Sequence, residues 1–303
     1  MDPDVAVVTD STASLPDDVA RAYGITVVPL HVVVDGVQRG DDAAGSAALA
    51  ERMAAGAEVS TSQPSAAELA DAMRAAARGR REVVSIHLSG DLSGTVSGAR
   101  QAAARLATEG VRVHVIDSRT VAGGTGLAAV AAAEAAAAGR RAEQVVAVAR
   151  ETAAKTTVLF VVPDLTFLQR GGRVGAGTAK IGTALGIRPV LGMADGRIVV
   201  VETVRGLARA RRRVVARAAQ AAGGPGARVP HPPAVRVRLA VHHFGAAEAA
   251  VELQEQLAAE LAGTGAIVAE TLRSELTAVV GAHVGPGVLG VVVAPAEGPQ
   301  RSG

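Results

Sequence analysis

Ser93, Gly94 and Thr95 close the stretch His87-Leu88-Ser89-Gly90-Asp91-Leu92-Ser93-Gly94-Thr95, the part of this chain best suited to chemistry. The apolar run Val83 to Ile86 before it reads as a buried strand, and Val96 to Leu106 after it reads as a helix. The first-turn N–H groups of a helix lack intrahelical partners, and the macrodipole adds about half a positive charge there. Hydroxyls and N–H groups converging at such a junction suit a phosphate or a carboxylate. Thr61-Ser62-Gln63-Pro64-Ser65 offers a second set of hydroxyls. Ser65 and Glu68 have the spacing of a capping box, which leaves Thr61 and Ser62 available to the same anion. His283 lies in Gly281-Ala-His283-Val-Gly285-Pro-Gly287, where glycines allow a close backbone approach. A single histidine of this kind serves structure as readily as ligand binding.

Other chemistries fit less well. Gly172 to Lys180 imitates a phosphate loop, but Thr178 and Ala179 separate the last glycine from Lys180, and Gly123-Gly124-Thr125-Gly126 lacks dinucleotide spacing. Ser93, Asp117 and His283 follow the chain order of an α/β-hydrolase triad, yet Asp91 and Thr95 stand where a nucleophile elbow needs glycine. A serine-dependent esterase, or a binder of another small carboxylate or phosphate, is the competing reading. The histidines, His242-His243 included, show no metal-like pairing with carboxylates, so no metal site is assigned. Arg205, Arg209, Arg212, Arg213 and Arg217 recur at three- and four-residue intervals, with Glu202 the one nearby acid. That stripe is either a solvated face or a dock for an acidic protein surface.

The elements that must position these groups alternate. Strands are expected at Val5–Thr9, Ile25–Val34, Val83–Ile86 and Val111–Ile116, with helices from Leu15, over Glu68–Arg78, after Ser93, from Gly126 and over Ala142–Lys155. This order implies a parallel sheet with right-handed crossovers, whose ligands bind beyond the carboxyl ends of the strands. Thr9–Thr12, Ser89–Thr95 and Asp117–Ser118 all fall there. Past about residue 157 the pattern changes. Ile187–Met193 and Arg197–Val204 flank Asp195-Gly196, a strong hairpin signal, so an α+β unit follows. It is expected to hold helices over Thr178–Leu185, Leu207–Ala221 and Ala246–Leu261, a loop at Gly223–Pro233, strands at Val235–Val241, Ile267–Thr271 and Val288–Val293, and a frayed tail from Pro299.

Composition sets the bounds. At 303 residues, two domains or one large α/β domain are expected. The aromatics are Tyr23, Phe160, Phe167 and Phe244, too few for a base-stacking platform, and a net charge of +2 gives no case for nucleic acid. The absence of cysteine excludes disulfides, thiolate zinc sites and cysteine nucleophiles. Asp2 and Asp4 stand where a signal peptide would be basic, and no apolar run reaches about 18 residues, so a cytoplasmic protein is expected.

Taken in order, Val8-Thr-Asp-Ser-Thr12, Val28-Pro-Leu30, Thr61-Ser-Gln-Pro64, Leu92-Ser-Gly-Thr95, Asp117-Ser118, Leu168-Gln-Arg-Gly-Gly-Arg173, Ile187-Arg-Pro-Val-Leu191, Asp195-Gly196, Val204-Arg205 and His283-Val-Gly-Pro-Gly287 resemble the DegV family along nearly the whole chain. That family includes the fatty-acid-binding subunit of bacterial fatty acid kinase. The resemblance implies an N-terminal parallel-sheet α/β/α domain (1–157), a C-terminal α+β domain with a mixed sheet (158–303), and an acyl chain held between them. It implies a carboxylate near Thr61, Ser62, Ser93, Gly94 and Thr95, with His283 and Arg170 as neighbours. Gln169 departs from the basic residue often found in the family, and Gly223–Pro233 has no recognised counterpart. The implied role is a non-catalytic carrier without cofactor, in transient contact with membranes at most. It would present a long-chain fatty acid to a separate kinase, which makes the acyl phosphate for phospholipid synthesis. Arg205 and Arg209 are the expected kinase dock.

Overall fold

The computed structural model describes residues 4–41, 43–174, 186–223 and 236–296. The helix expected at Thr178–Leu185, nearly all of the Gly223–Pro233 loop and the tail from Pro299 lie outside them. The chain is an α/β protein with a parallel sheet in its first half and a mixed sheet in its second.

Strands β1 (Val5–Asp10), β2 (Ile25–Val28), β6 (Glu82–His87) and β7 (Arg112–Asp117) form the parallel sheet in the order β2-β1-β6-β7. Period-two alternation sends successive side chains to opposite faces. Val7, Val84 and Ile86 face α5 (Gly123–Ala137) and α6 (Ala142–Lys155), whereas Val8 and Val83 face α3 (Ala66–Ala76) and α4 (Thr95–Thr108). Helix α5 is buried on nearly every side between the two main sheets, which explains its Ala and Gly content. Any Cβ on Gly123 would strike His242 and Ala240 of the second sheet.

The expected strand Ile25–Val34 is two strands in different sheets. Pro29 has no N–H for a ladder, and the next amide, Leu30 N, donates to Ser11 Oγ at 2.9 Å. After that break, β3 (His31–Val34) joins β4 (Val37–Gly40) and β5 (Val59–Ser62) in a small antiparallel sheet. Thr61 and Ser62, which precede the Glu68 helix in sequence, therefore sit on a strand. Helices α1 (Asp17–Ala22), α2 (Ala43–Ala54) and α7 (Thr166–Arg170) are the remaining described α-helices before residue 175.

The mixed sheet runs β10-β9-β8-β13-β11-β12. Its strands are β8 (Thr157–Val161), β9 (Ile187–Ala194), β10 (Arg197–Arg205), β11 (Arg236–His243), β12 (Ile267–Glu275) and β13 (Leu289–Pro295). The Asp195-Gly196 hairpin forms as expected, with both residues at positive φ (50° and 81°) and Ala194 paired with Arg197. Leu159, Val161, Leu239 and Val241 point outward to α8 (Leu207–Ala221) and α9 (Ala247–Leu261). Val158, Phe160, Val162, Ala240 and Val292 point inward, into a core shared with Leu30 and Val32 of the first half. The stretch Gly281–Gly287 is not a simple loop. It contains the end of α10 (Ala278–Val284), stopped by Gly285 at φ 79°. Gly281 lies mid-helix because the Phe244 ring occupies the place of a Cβ.

Candidate functional site

All three expected strand ends fall at the same edge of the parallel sheet. At the end of β1, Asp10 is fully buried and accepts from Thr12 N (3.1 Å) and Leu88 N (3.1 Å) and contacts His87 Nδ1 (2.9 Å). His87 Nε2 lies 2.8 Å from Ser85 Oγ. This Ser–His–Asp relay has no exposed surface at any member, so it ties β1 to β6 and reaches no substrate. Its consequence for the site is positional, because it fixes the root of the Leu88–Gly94 loop.

Beyond that edge a cavity of about 350 Å³ opens between the parallel sheet's loops, the inward face of the mixed sheet and α10. Its body is aliphatic, walled by residues such as Leu30, Val158, Phe160, Val280, Val288 and Val292. One part of the wall carries Thr61, Ser62, Gln63, Ser93, Gly94, Arg173 and His283. Among the described residues no Asp or Glu lines it. An aliphatic volume with hydroxyl and amide groups on part of its wall and, among the described residues, one guanidinium and no carboxylate is matched to an amphiphilic anion. Such a head group needs several donors to leave water.

Thr61 Oγ1 lies 2.9 Å from His283 Nε2, joining residues 222 apart in sequence. Burial and the positive charge of Arg173 hold His283 down at about 4, so at neutral pH the imidazole is uncharged. The charge that faces an anion is therefore Arg173. Its guanidinium donates to Leu92 O (3.2 Å) and to Gly171 O. Ser93 Oγ contacts Thr95 Oγ1 (2.9 Å) at the start of α4. Any Cβ on Gly94 would overlap Gln63, so only glycine lets that amide lie against the start of α4. Helix α10 is capped from a distance: Asp41 Oδ1 accepts from Val279 N (3.0 Å), and Asp41 Oδ2 accepts from Ser11 Oγ (2.7 Å). Burial pushes the Asp41 carboxyl above its ordinary range.

The structure thus brings Thr61, Ser62, Ser93, Gly94 and His283 to one wall. Thr95 is fully buried behind Ser93 and acts through it. Arg170 is exposed and not on the cavity wall. It lies two residues past the buried Leu168 on α7, about 200° around the helix, whereas the chain turns back after Gly172 (φ 68°) and delivers Arg173. Gln63 was also missed as a wall residue, although its Thr-Ser-Gln-Pro segment was legible. The hydrolase order does not assemble: Ser93 engages Thr95, His283 engages Thr61, and Asp117 accepts from Gly90 N (3.2 Å) and Arg119 N (2.9 Å). On the outer surface, Glu202 pairs with Arg213 (2.8 Å) and Arg217 (3.2 Å). Arg205, Arg209 and Arg212 are exposed, with no acidic partner among the described residues. No helix among the described residues is long and apolar enough to cross a membrane.

A family profile described as "Uncharacterised protein, DegV family" matches residues 4–296. A DegV domain-containing protein of Streptomyces coelicolor is 40% identical over 292 residues, covering 95% of this chain and 98% of its own. Among solved structures, a DegV family protein from Thermus thermophilus, described by its fatty acid binding, superposes with a TM-score of 0.85 at 33% identity, covering 96% of this chain and 99% of that one. DegV from Bacillus subtilis, described as a fatty acid binding protein, gives 0.83 at 29% identity, with 97% and 100% coverage.

Proposed function

The chain belongs to the DegV family, and from that membership we propose that it binds a long-chain fatty acid and presents the carboxylate to a separate fatty acid kinase. The observation that carries the reading is the cavity itself, aliphatic in its body with Thr61, Ser62, Ser93, Arg173 and His283 gathered in one part of its wall. Burying about 14 methylenes at ~0.8 kcal/mol each supplies on the order of 11 kcal/mol gross. Ordering and association costs consume much of that, leaving the affinity of a carrier. In the proposed reaction a carboxylate oxygen attacks the γ-phosphorus of ATP held by the kinase, the bond to ADP breaks, and an acyl phosphate results for phospholipid synthesis. This chain contributes no cofactor to that step.

The division into domains 1–157 and 158–303, with the acyl chain between them, belongs to the same proposal. So do a cytoplasmic location, transient membrane contact and kinase docking at Arg205 and Arg209. The double variant Thr61→Ala/Ser93→Ala tests the head site by titration with palmitate. Loss of two hydroxyl contacts to a carboxylate weakens binding by tenfold or more, at about 1.5–3 kcal/mol per charged hydrogen bond. Unchanged affinity in the folded double variant would refute the assignment.

A further inference from the structure

Among the described residues two glycines line the cavity, Gly94 and Gly290. Gly94 has a steric reason, its overlap with Gln63. Gly290 has none. It lies in β13, an interior strand of the mixed sheet, with a backbone outside the left-handed region. A Cβ on it would meet nothing nearer than Leu159 O and Phe160 Cβ, both at 3.4 Å, which is ordinary van der Waals contact. Gly192 on β9 shows the contrast, since a Cβ there would lie 2.9 Å from both Val158 O and Val201 Cγ2. Glycine in a strand interior gives up packing and costs conformational entropy. Where the chain itself does not require it, a glycine there marks the close approach of something else.

The register shows what it faces. Gly290 pairs with His242 on β11 and with Phe160 on β8. Directly paired residues share a face of a sheet. Here that face is the inward one, because Phe160 and Val292 belong to the inward core whereas Leu289 and Val291 belong to the outer one. Gly290 is thus a gap between two ring-bearing side chains in one row. Leu159 and Val291, whose side chains point outward, also line the cavity. The hollow therefore reaches the sheet backbone at this row. His242 bounds it without charge: Nε2 accepts from Gly123 N (3.0 Å), Nδ1 lies 3.0 Å from Ser274 Oγ, and burial holds the imidazole down at about 4. None of the head-wall residues stands in the row.

We propose that Gly290 is a specificity-determining residue: the side chain it lacks leaves a trough in the cavity floor that receives part of the alkyl tail and so sets the longest acyl chain that fits. The trough is uncharged, so it takes methylenes and leaves the carboxylate to the hydroxyls and Arg173. The proposal rests on the fatty-acid reading above and adds to it the residue that measures the tail.

The test titrates the delipidated full chain and its Gly290→Ala, Gly290→Val and Gly290→Leu variants with decanoate, laurate, myristate, palmitate and stearate. Each methylene shut out of the cavity costs about fourfold in affinity, at ~0.8 kcal/mol. Gly290→Leu should therefore lose about tenfold or more for palmitate and stearate while decanoate changes by less than about threefold, with Gly290→Val intermediate. Unmodified protein that binds palmitate, beside variants whose losses are nil or equal at every length, overturns the role of Gly290 alone. Unmodified protein that binds none of the acids overturns the fatty-acid reading and this proposal together. Gly290→Ala separates the ligand's need from the fold's. Empty, that variant should unfold at a denaturant midpoint no lower than the unmodified chain. A lower midpoint would mean that the sheet itself requires glycine, and would also overturn the proposal.

Discussion

His283 shows how one side chain can be read two ways until its surroundings are known. Flanking glycines suggest a ligand-facing residue, and it does line the cavity, but burial and Arg173 keep it neutral rather than cationic. Its value near 4 lies below the ordinary 6.5, so between those pH values the unfolded chain takes up a proton that the folded chain refuses. The stabilisation this confers is complete above about pH 6.5 and is lost progressively as the pH falls toward 4. By pH 5 the loss amounts to about 2 kcal/mol, at 1.36 kcal/mol per unit. Urea unfolding at pH 7 and pH 5 should show that loss, and His283→Gln, which can still bond Thr61, should show correspondingly less. An identical pH response in the variant would contradict the buried, neutral imidazole. The hydroxyls of Thr61 and Ser93 were legible from residue type and position alone. The choice between Arg170 and Arg173 was not, because it depends on which way the chain leaves Gly172.

Elements whose cues are local were readable, and elements whose cues are distant were not. The Asp195-Gly196 hairpin, the Ser65–Glu68 capping box and the parallel strands announce themselves through turn chemistry, spacing and period. Helix α10 does not. Its interior glycine argues against a helix, and what permits it is the Phe244 ring together with a cap supplied by Asp41 from 238 residues away. The split of Ile25–Val34 was visible in Pro29, yet the destination of β3 in another sheet was not. Asp41 carries a prediction at this scale. Asp41→Ala leaves Val279 N and Ser11 Oγ without their acceptor and should cost about 2 kcal/mol or more while loosening α10 and weakening palmitate binding. Asp41→Asn keeps an acceptor for Val279 N. Because the buried carboxyl is raised above its ordinary range, its contribution declines as pH rises, so the neutral amide should cost little at pH 7. Equal losses in the two variants, measured by denaturant midpoint, would remove Asp41 from its role as a cap.

For the molecule as a whole, the inward core joins strands from both ends of the chain, with the cavity bordering it. An α/β fold was legible from the alternation of elements, but a hollow was not, since an aliphatic composition serves a packed core equally well. The outer basic face is smaller than the arginine spacing suggests, because Glu202 neutralises Arg213 and Arg217. Arg205, Arg209 and Arg212 remain exposed, and Arg205 and Arg209 among them are the proposed kinase dock. Charge reversal at Arg205 and Arg209 should abolish phosphorylation of bound acid and leave palmitate affinity intact; loss of both would sink the dock. Beneath all of this stands the identity of the occupant. Native mass spectrometry of the purified protein, followed by extraction and repeated after delipidation and addition of palmitate, asks that question most directly. The expected result is one long-chain fatty acid per chain, removed by delipidation and restored by palmitate. A chain that carries no acyl mass as purified and takes up none when palmitate is supplied would contradict it.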